Sequence, residues 1–306
     1  MGKHAFLIIA NENYTQLKQL LFLLDDERND IVIHIDKKSP DYDEESFSSV
    51  VKQAKLSFTS KRICVDWGSF SLIECELLLL KDAVALGKHD YYHLLSGKDL
   101  PIKTQDRIHA FFEQNQGKEF IRFGKHTKDN YYFRVKYYFD FVQGLKFPLK
   151  RQGKAKVAFI ALCQKLIGIN RLRGNKIEFK KGTEWFSITQ DLAEYVISNE
   201  TWIKKNFTST YCGDELFLQT LVYNSAFWAD VFHPKFDGSC VANMRLIDWN
   251  RGHPYIFRKG DLQEILNSEC LFARKFDAKV DNEIISEIIY AIQNQSTSQT
   301  EVELRQ

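Results

Sequence analysis

Ala5-Phe6-Leu7-Ile8-Ile9-Ala10 and Ile31-Val32-Ile33-His34-Ile35-Asp36 bracket a segment, residues 14–25, whose leucines fall at 17, 20, 21 and 24. The two short apolar runs read as buried strands, and the leucine spacing between them reads as a helix. Strand, helix and strand within about forty residues make a βαβ unit, which requires a right-handed crossover and a parallel sheet. Sheets of that kind place their ligands in the crevice beyond the carboxyl ends of the strands. The expected fold is therefore α/β, a Rossmann-like, mostly parallel sheet flanked by helices.

The alternation continues. Arg62-Ile63-Cys64-Val65 reads as a strand, and Trp67-Gly68-Ser69-Phe70 turns into a helix over 72–86, with Ser71 and Glu74 at capping-box spacing. Tyr91-Tyr92-His93-Leu94-Leu95 is a further strand, broken by Ser96-Gly97-Lys98-Asp99-Leu100-Pro101. A helix over 104–114 and a strand over 119–123 follow. Beyond residue 123 the composition shifts to an aromatic and basic cluster, Tyr131, Tyr132, Phe133, Arg134, Lys136, Tyr137 and Tyr138. Between Lys146 and Lys181 there are eleven Lys and Arg residues against the single acid Glu178, around an apolar stretch at 157–167 suited to an interfacial helix. A strand at 185–188, a helix over 190–198 capped by Thr189, and a helix starting near Asp214-Glu215 come next. Residues 239–261 read as irregular, residues 281–293 as an amphipathic helix, and 294–306 as a polar, frayed tail.

The bulk properties narrow the function classes. The chain has 306 residues, 44% hydrophobic and 27% charged, enough for a sizeable core and unlike disordered or fibrous sequences. A formal net charge of +2 gives no reason to expect nucleic acid as a partner. No apolar run is long enough to span a bilayer, and Met1–Ile9 has no signal-peptide pattern. The six cysteines stand singly without a CxxC pair and read as thiols of a reducing compartment. A cytoplasmic protein, peripheral at most to the inner face of a membrane, is the expectation. GxxxxGK, GxGxxG and GxSxG strings are absent, which argues against P-loop enzymes, dinucleotide oxidoreductases and α/β-hydrolases.

Three constellations carry candidate chemistry. Asp214-Glu215 places two acids at the positive end of a helix, where a general base stays ionised, although plain helix capping explains the same pair. Leu271-Phe272-Ala273-Arg274-Lys275-Phe276-Asp277 sets two cations among apolar residues, with Arg251 upstream. Fixed cations of this kind neutralise a leaving diphosphate, while an ordinary ion pair, such as Lys275 with Asp277, is the alternative. Asp41-Tyr42-Asp43 has the form of a metal-binding Asp-x-Asp but lies in an acidic stretch that reads as solvated loop, and Ser96–Asp99 offers a single carboxylate. No metal site is expected.

Six strings in order carry a resemblance: Ile33–Ser39, Trp67–Leu72, Leu95–Thr104, Gly182-Thr183-Glu184-Trp185-Phe186, Gly213-Asp214-Glu215 and Leu271–Asp277. Together they resemble the core-2/I-branching β-1,6-N-acetylglucosaminyltransferase family, which includes the peptide xylosyltransferases, in a bacterial-type form, over residues 5–277. The resemblance implies an inverting, metal-independent GT-A-type glycosyltransferase with a UDP-sugar donor and no resident cofactor. It favours N-acetylglucosamine as the sugar, with xylose or a non-catalytic carbohydrate-binding relative as alternatives. Residues 1–293 would form one domain, with a nucleotide-sugar half (1–123) and an acceptor and catalytic half (124–293). It places the base at Glu215 beside Asp214, the diphosphate contact at Lys275 with Arg274, and Arg251 or Arg258 as the partner arginine. The uridine end falls at Asp36, with Trp67 and Asp99 in the donor region, and Trp185, Arg134 and Lys136 face the acceptor. Such an acceptor is a glycan, in one version lipid-linked, with 146–181 either on the membrane surface or a solvated excursion.

Overall fold

The computed structural model describes residues 2–125, 128–140 and 151–303. Its central sheet contains β1 (His4–Ala10), β2 (Asn29–Ile35), β3 (Lys55–Phe58) and β4 (Tyr91–Ser96). A second, three-stranded sheet begins with β5 (Asp99–Pro101), and the central sheet is completed by β6 (Phe120–Phe123) and β7 (Gly182–Thr189). β8 (Arg245–Ile247) and β9 (Phe272–Arg274) finish the smaller sheet. The strand order is β3-β2-β1-β4-β7-β6 in the large sheet and β5-β9-β8 in the small one.

β1 pairs in parallel with β2 and β4, Leu7 lying between Val32 and Leu94, and β3 extends the parallel set. β7 runs antiparallel to both β4 and β6. The mostly parallel α/β sheet expected from the opening residues is thus present. β1 has no polar face because it is covered twice: Phe6, Ile8 and Ala10 pack under the helices 14–24 and 283–303, and Ala5 and Leu7 under the helices 70–86 and 190–198. Each leucine, isoleucine or phenylalanine among them contributes roughly 1.5–3 kcal/mol by leaving water.

Four expectations need correction. The third strand is Lys55–Phe58, not 62–65. Residues 55–58 reach the free edge of β2 first, and the chain at 62–65 runs past the carboxyl end of β2 instead. There the Ile63 amide donates to His34 Nε2 (2.9 Å) and the Lys37 amide to the Ile63 carbonyl (2.9 Å). The helix 70–86 is capped by Ser69, whose hydroxyl accepts from the Ser71 amide (3.2 Å), rather than by Ser71 with Glu74. Gly68, at φ +73°, turns the chain so that Ser69 takes the extended cap conformation, and the Ser71 hydroxyl accepts from the Asp66 amide. Residues 239–261 hold β8, too short for a periodicity to show. The last helix continues to Glu303, since no Gly or Pro interrupts residues 294–303.

Arg245 joins the two sheets. It is fully buried, and its guanidinium donates to the Leu94 (3.2 Å), Phe186 and Asn243 carbonyls and to the Ser187 hydroxyl (3.1 Å). Burial pushes its pKa down to about 9. Four neutral acceptors, not a counter-ion, hold this charge among the described residues. Thr189 is the expected cap of helix 190–198: its hydroxyl accepts from the Leu192 amide (3.3 Å) and donates to Glu119 (2.5 Å). Thr189→Val removes both and is expected to cost about 1–2 kcal/mol, read from urea unfolding.

Candidate active site

β1, β2 and β4 end at one edge of the large sheet, and antiparallel β7 begins there, so residues far apart in sequence meet along that edge. Asp36 lies just past β2. Its amide donates to the Ala10 carbonyl (2.8 Å), and its buried carboxylate accepts from the Lys38 amide (2.8 Å). The Lys38 ammonium lies 3.8 Å from that carboxylate and 2.7 Å from Asp66. Trp67 is exposed beside this loop and meets Tyr211 edge-on at 5.9 Å.

The β4–β5 turn and β9 form the next part. Arg274 donates to Asp99 (3.0 Å) and to the Ser96 hydroxyl, and its guanidinium stacks 4.3 Å from the Trp185 ring. Trp185 is itself buried. Lys98 pairs with Asp277 (2.8 Å), which leaves Lys275, the cation just past β9, with no carboxylate at ion-pair distance among the described residues. Burial and the neighbouring Arg274 and Lys98 charges push the Lys275 pKa below its usual value. The ion pair of Lys275 with Asp277 is therefore not formed; Asp277 is held by Lys98. A half-buried cation among cations is destabilised until an anion arrives.

The acidic part lies on Gly213–Glu215, a single 3₁₀ turn leading into the helix 217–223, rather than the start of a full α-helix. The two acids diverge. Glu215 accepts from Arg134 (2.6 Å) and Lys181 (3.2 Å), and its side chain is 31% exposed. Burial raises its pKa, but Lys181 and Arg134 outweigh that and hold the carboxyl below the usual range. Asp214 points inward, and burial together with the Glu215 charge pushes it up to about 7. Glu184, at the start of β7, lies beside Asp214 and is raised well above the usual range by burial and by Asp214, against the opposing effect of Arg274. Behind them Glu76 is fully buried with neither oxygen hydrogen-bonded among the described residues, and burial raises its pKa well above the usual carboxyl range. The site thus carries one ionised, accessible carboxylate in front of a protonatable carboxyl cluster.

Arg134 comes from the helix 128–136 and also stacks 5.7 Å from Tyr211, linking Glu215 to the ring that meets Trp67. Lys136, two residues on, lies 5.6 Å from the Tyr137 ring and makes no ion pair with Glu215. Arg251 is occupied elsewhere: Asp248, Asp261 (2.6 Å) and Glu264 (2.8 Å) take its three guanidinium nitrogens. The arginine that stands at the β4–β5 turn is Arg274, while Arg258 is exposed near the helix 262–267. Asp41-Tyr42-Asp43 ends in a helix cap, Asp43 accepting from Glu45 (3.0 Å), as a surface loop would.

Glu184, Lys181, Lys98 and Ser96 were not singled out from sequence as site residues. Glu184 stands thirty-one positions before Glu215, and only the antiparallel entry of β7 next to β4 brings them together. Lys181 sits in a basic run where nothing distinguishes it from its neighbours.

Among comparisons with known proteins, a family model described as Core-2/I-Branching enzyme matches residues 4–269. The xylosyltransferase sqv-6 of Caenorhabditis briggsae is 26% identical over 324 aligned residues, covering 99% of this chain and 38% of that protein. Xylosyltransferase 2 of Mus musculus is 25% identical, covering 91% of this chain and 32% of the mouse protein. The chain spans about a third of the length of these curated relatives. A solved structure, the apo form of mouse xyloside xylosyltransferase 1, aligns over 89% of this chain and 96% of its own at 11% identity, with a TM-score of 0.39.

Proposed function

The chain belongs to the core-2/I-branching enzyme family, and on that premise we propose that it transfers a sugar from a UDP-sugar to a hydroxyl of a glycan acceptor, with inversion and without a metal ion. The sugar is N-acetylglucosamine or xylose; the names of the relatives favour screening UDP-xylose alongside UDP-N-acetylglucosamine.

In this reading UDP lies along the carboxyl edge of the sheet, its uridine toward Asp36 and Trp67 and its diphosphate toward Lys275 and Arg274. The acceptor hydroxyl approaches from the side of Glu215. Its oxygen attacks the anomeric carbon, the bond from that carbon to the diphosphate oxygen breaks with its electron pair leaving on UDP, and the hydroxyl proton passes to a carboxylate. The observation that carries the proposal is the ionised, partly exposed Glu215, fixed by Arg134 and Lys181, on the same side of the molecule as Lys275, which has no carboxylate partner among the described residues.

One observation favours a second choice of base. Two cations at 2.6 and 3.2 Å weaken Glu215 as a proton acceptor, whereas the Glu184–Asp214 pair, with Asp214 at about 7, is better matched to neutral pH. In that version Glu215 with its two cations orients the acceptor, and the pair takes the proton.

The charge chemistry supports independence from metal. Lys275 supplies a cation free of any carboxylate among the described residues, while the nearby carboxylates are already bound, Asp99 by Arg274 and Asp36 through Lys38. Incubation with a panel of UDP-sugars should give transfer, or slow hydrolysis without acceptor, for one or two donors. EDTA should change that rate less than about twofold. Loss of turnover in chelator, restored by Mn²⁺, would remove the metal-free part of the proposal.

A further inference from the structure

The helix Arg151–Leu166 carries the least expected surface of the molecule. Phe159 is 64% exposed, Leu162 51%, Leu166 77% and the following Ile167 73%. At about 100° per residue, Ala155, Phe159, Leu162 and Leu166 fall within an arc of about 60°. The exposed Lys156 and Lys165 stand about 90° to either side of that arc. The opposite face is the one that packs: Val157 is buried against Tyr137 and Phe139, and Ala161 joins the same cluster. Gln164 accepts from the Tyr138 amide and donates to the Tyr138 carbonyl, both at 2.8 Å. The helix is therefore docked through Val157, Ala161 and Gln164 and presents a second, larger apolar stripe outward.

We propose that this stripe rests on an anionic lipid surface, with the Phe, Leu and Ile side chains among the acyl-chain boundary and the flanking lysines at the headgroups. A large apolar stripe edged by cations is the arrangement of a helix lying in a membrane interface. The segment's charge is complementary to anionic lipid: residues 146–181 hold eleven basic residues and one acid, and although Lys181 is committed to Glu215 and Arg171 to backbone carbonyls, Lys156, Lys165, Arg173 and Lys176 are exposed. A second copy of the chain would bring the same cations against themselves.

The docking also has a direction. The helix packs on residues 137–139, which directly follow the helix carrying Arg134, and Arg134 holds Glu215. Tyr211, which Arg134 covers, packs against the same cluster. The helix thus stands between the stripe and the cluster that leads, through Arg134, to Glu215. The membrane contact follows from the helix and does not depend on the glycosyltransferase reading.

The test is co-sedimentation of the full chain with vesicles of phosphatidylglycerol and phosphatidylcholine, against phosphatidylcholine alone. Binding should be at least tenfold stronger to the anionic vesicles. Phe159→Ser, Leu162→Ser and Leu166→Ser combined should lower it at least tenfold, because exposed polar replacements cost the fold little and remove the stripe. Lys156→Gln with Lys165→Gln should weaken it by roughly fivefold per charge. Tyr290→Ser, an exposed aromatic on the helix 283–303, should leave it unchanged. Absence of binding to anionic vesicles, or binding indifferent to the triple replacement, overturns the proposal. So does a lipid-free dimer that the triple replacement dissolves, which would make the stripe an interface between copies. UDP-sugar hydrolysis measured on the same preparations reports separately on the catalytic reading.

Discussion

Glu215→Gln is expected to lower sugar transfer by about 10²–10⁴-fold, the range of a lost general base, while the affinity for UDP changes less than about twofold. The amide keeps the shape of the side chain and can still accept a hydrogen bond from Arg134 or Lys181, but it cannot take a proton. The fold should survive, because the replaced carboxylate is partly exposed. Glu184→Gln is the necessary companion. If Glu215 is the base, Glu184→Gln costs much less than Glu215→Gln. If the Glu184–Asp214 pair accepts the proton, the order reverses, and Glu215→Gln acts mainly through KM for the acceptor. The pH profile separates the two again. Glu215 is held below the usual carboxyl range and stays ionised through neutral pH, so it produces no acid limb near pH 7. Asp214, pushed up to about 7, does: activity that depends on the ionised pair rises as pH increases through about 7. A profile flat between pH 6 and 8 assigns the proton to Glu215.

Lys275→Ala is expected to cost about 10²–10³-fold in kcat with a smaller change in KM for the donor, because charge on the diphosphate oxygen grows as the glycosidic bond breaks. Lys98 cannot substitute, since Asp277 holds it at 2.8 Å, and Arg274, already beside the diphosphate in this reading, has its charge shared with Asp99. Lys275→Arg should recover only part of the loss, because a planar guanidinium does not fit the place of a compact ammonium. If Lys275→Ala turns over at the parent rate, the leaving group is stabilised by something other than this cation. Rescue of Lys275→Ala by Mn²⁺ would show instead that a metal can occupy the diphosphate side.

The large sheet was legible because parallel strands buried on both faces write themselves as continuous apolar runs, as at Phe6–Ile9 and Ile31–Ile35. Caps with one hydroxyl in reach, such as Thr189, were equally plain. Where Ser71 with Glu74 had the capping spacing, the turn at Gly68, which spacing does not encode, gave the cap to Ser69 instead. β3 was displaced for a similar reason: 55–58 and 62–65 both suit an edge strand, and the free edge of β2 decides between them. Arg251 illustrates the limit for charges. Its guanidinium is fixed by Asp248, Asp261 and Glu264, two of them ten and thirteen residues downstream, beyond the reach of any local pattern.

By itself the sequence determined the α/β class, the parallel opening and the presence of an acid pair and a cation pair in order along the chain, because apolar periodicity and adjacent charges are local properties. Only the tertiary structure decided which acid faces outward, that Glu184 lies beside Asp214, that Lys181 and Arg134 hold Glu215, and that Lys275 is left without a carboxylate among the described residues. Those outcomes arise where the antiparallel β7 meets the ends of parallel strands, and the electrostatics of a group depend on what the fold buries beside it rather than on its neighbours in the chain.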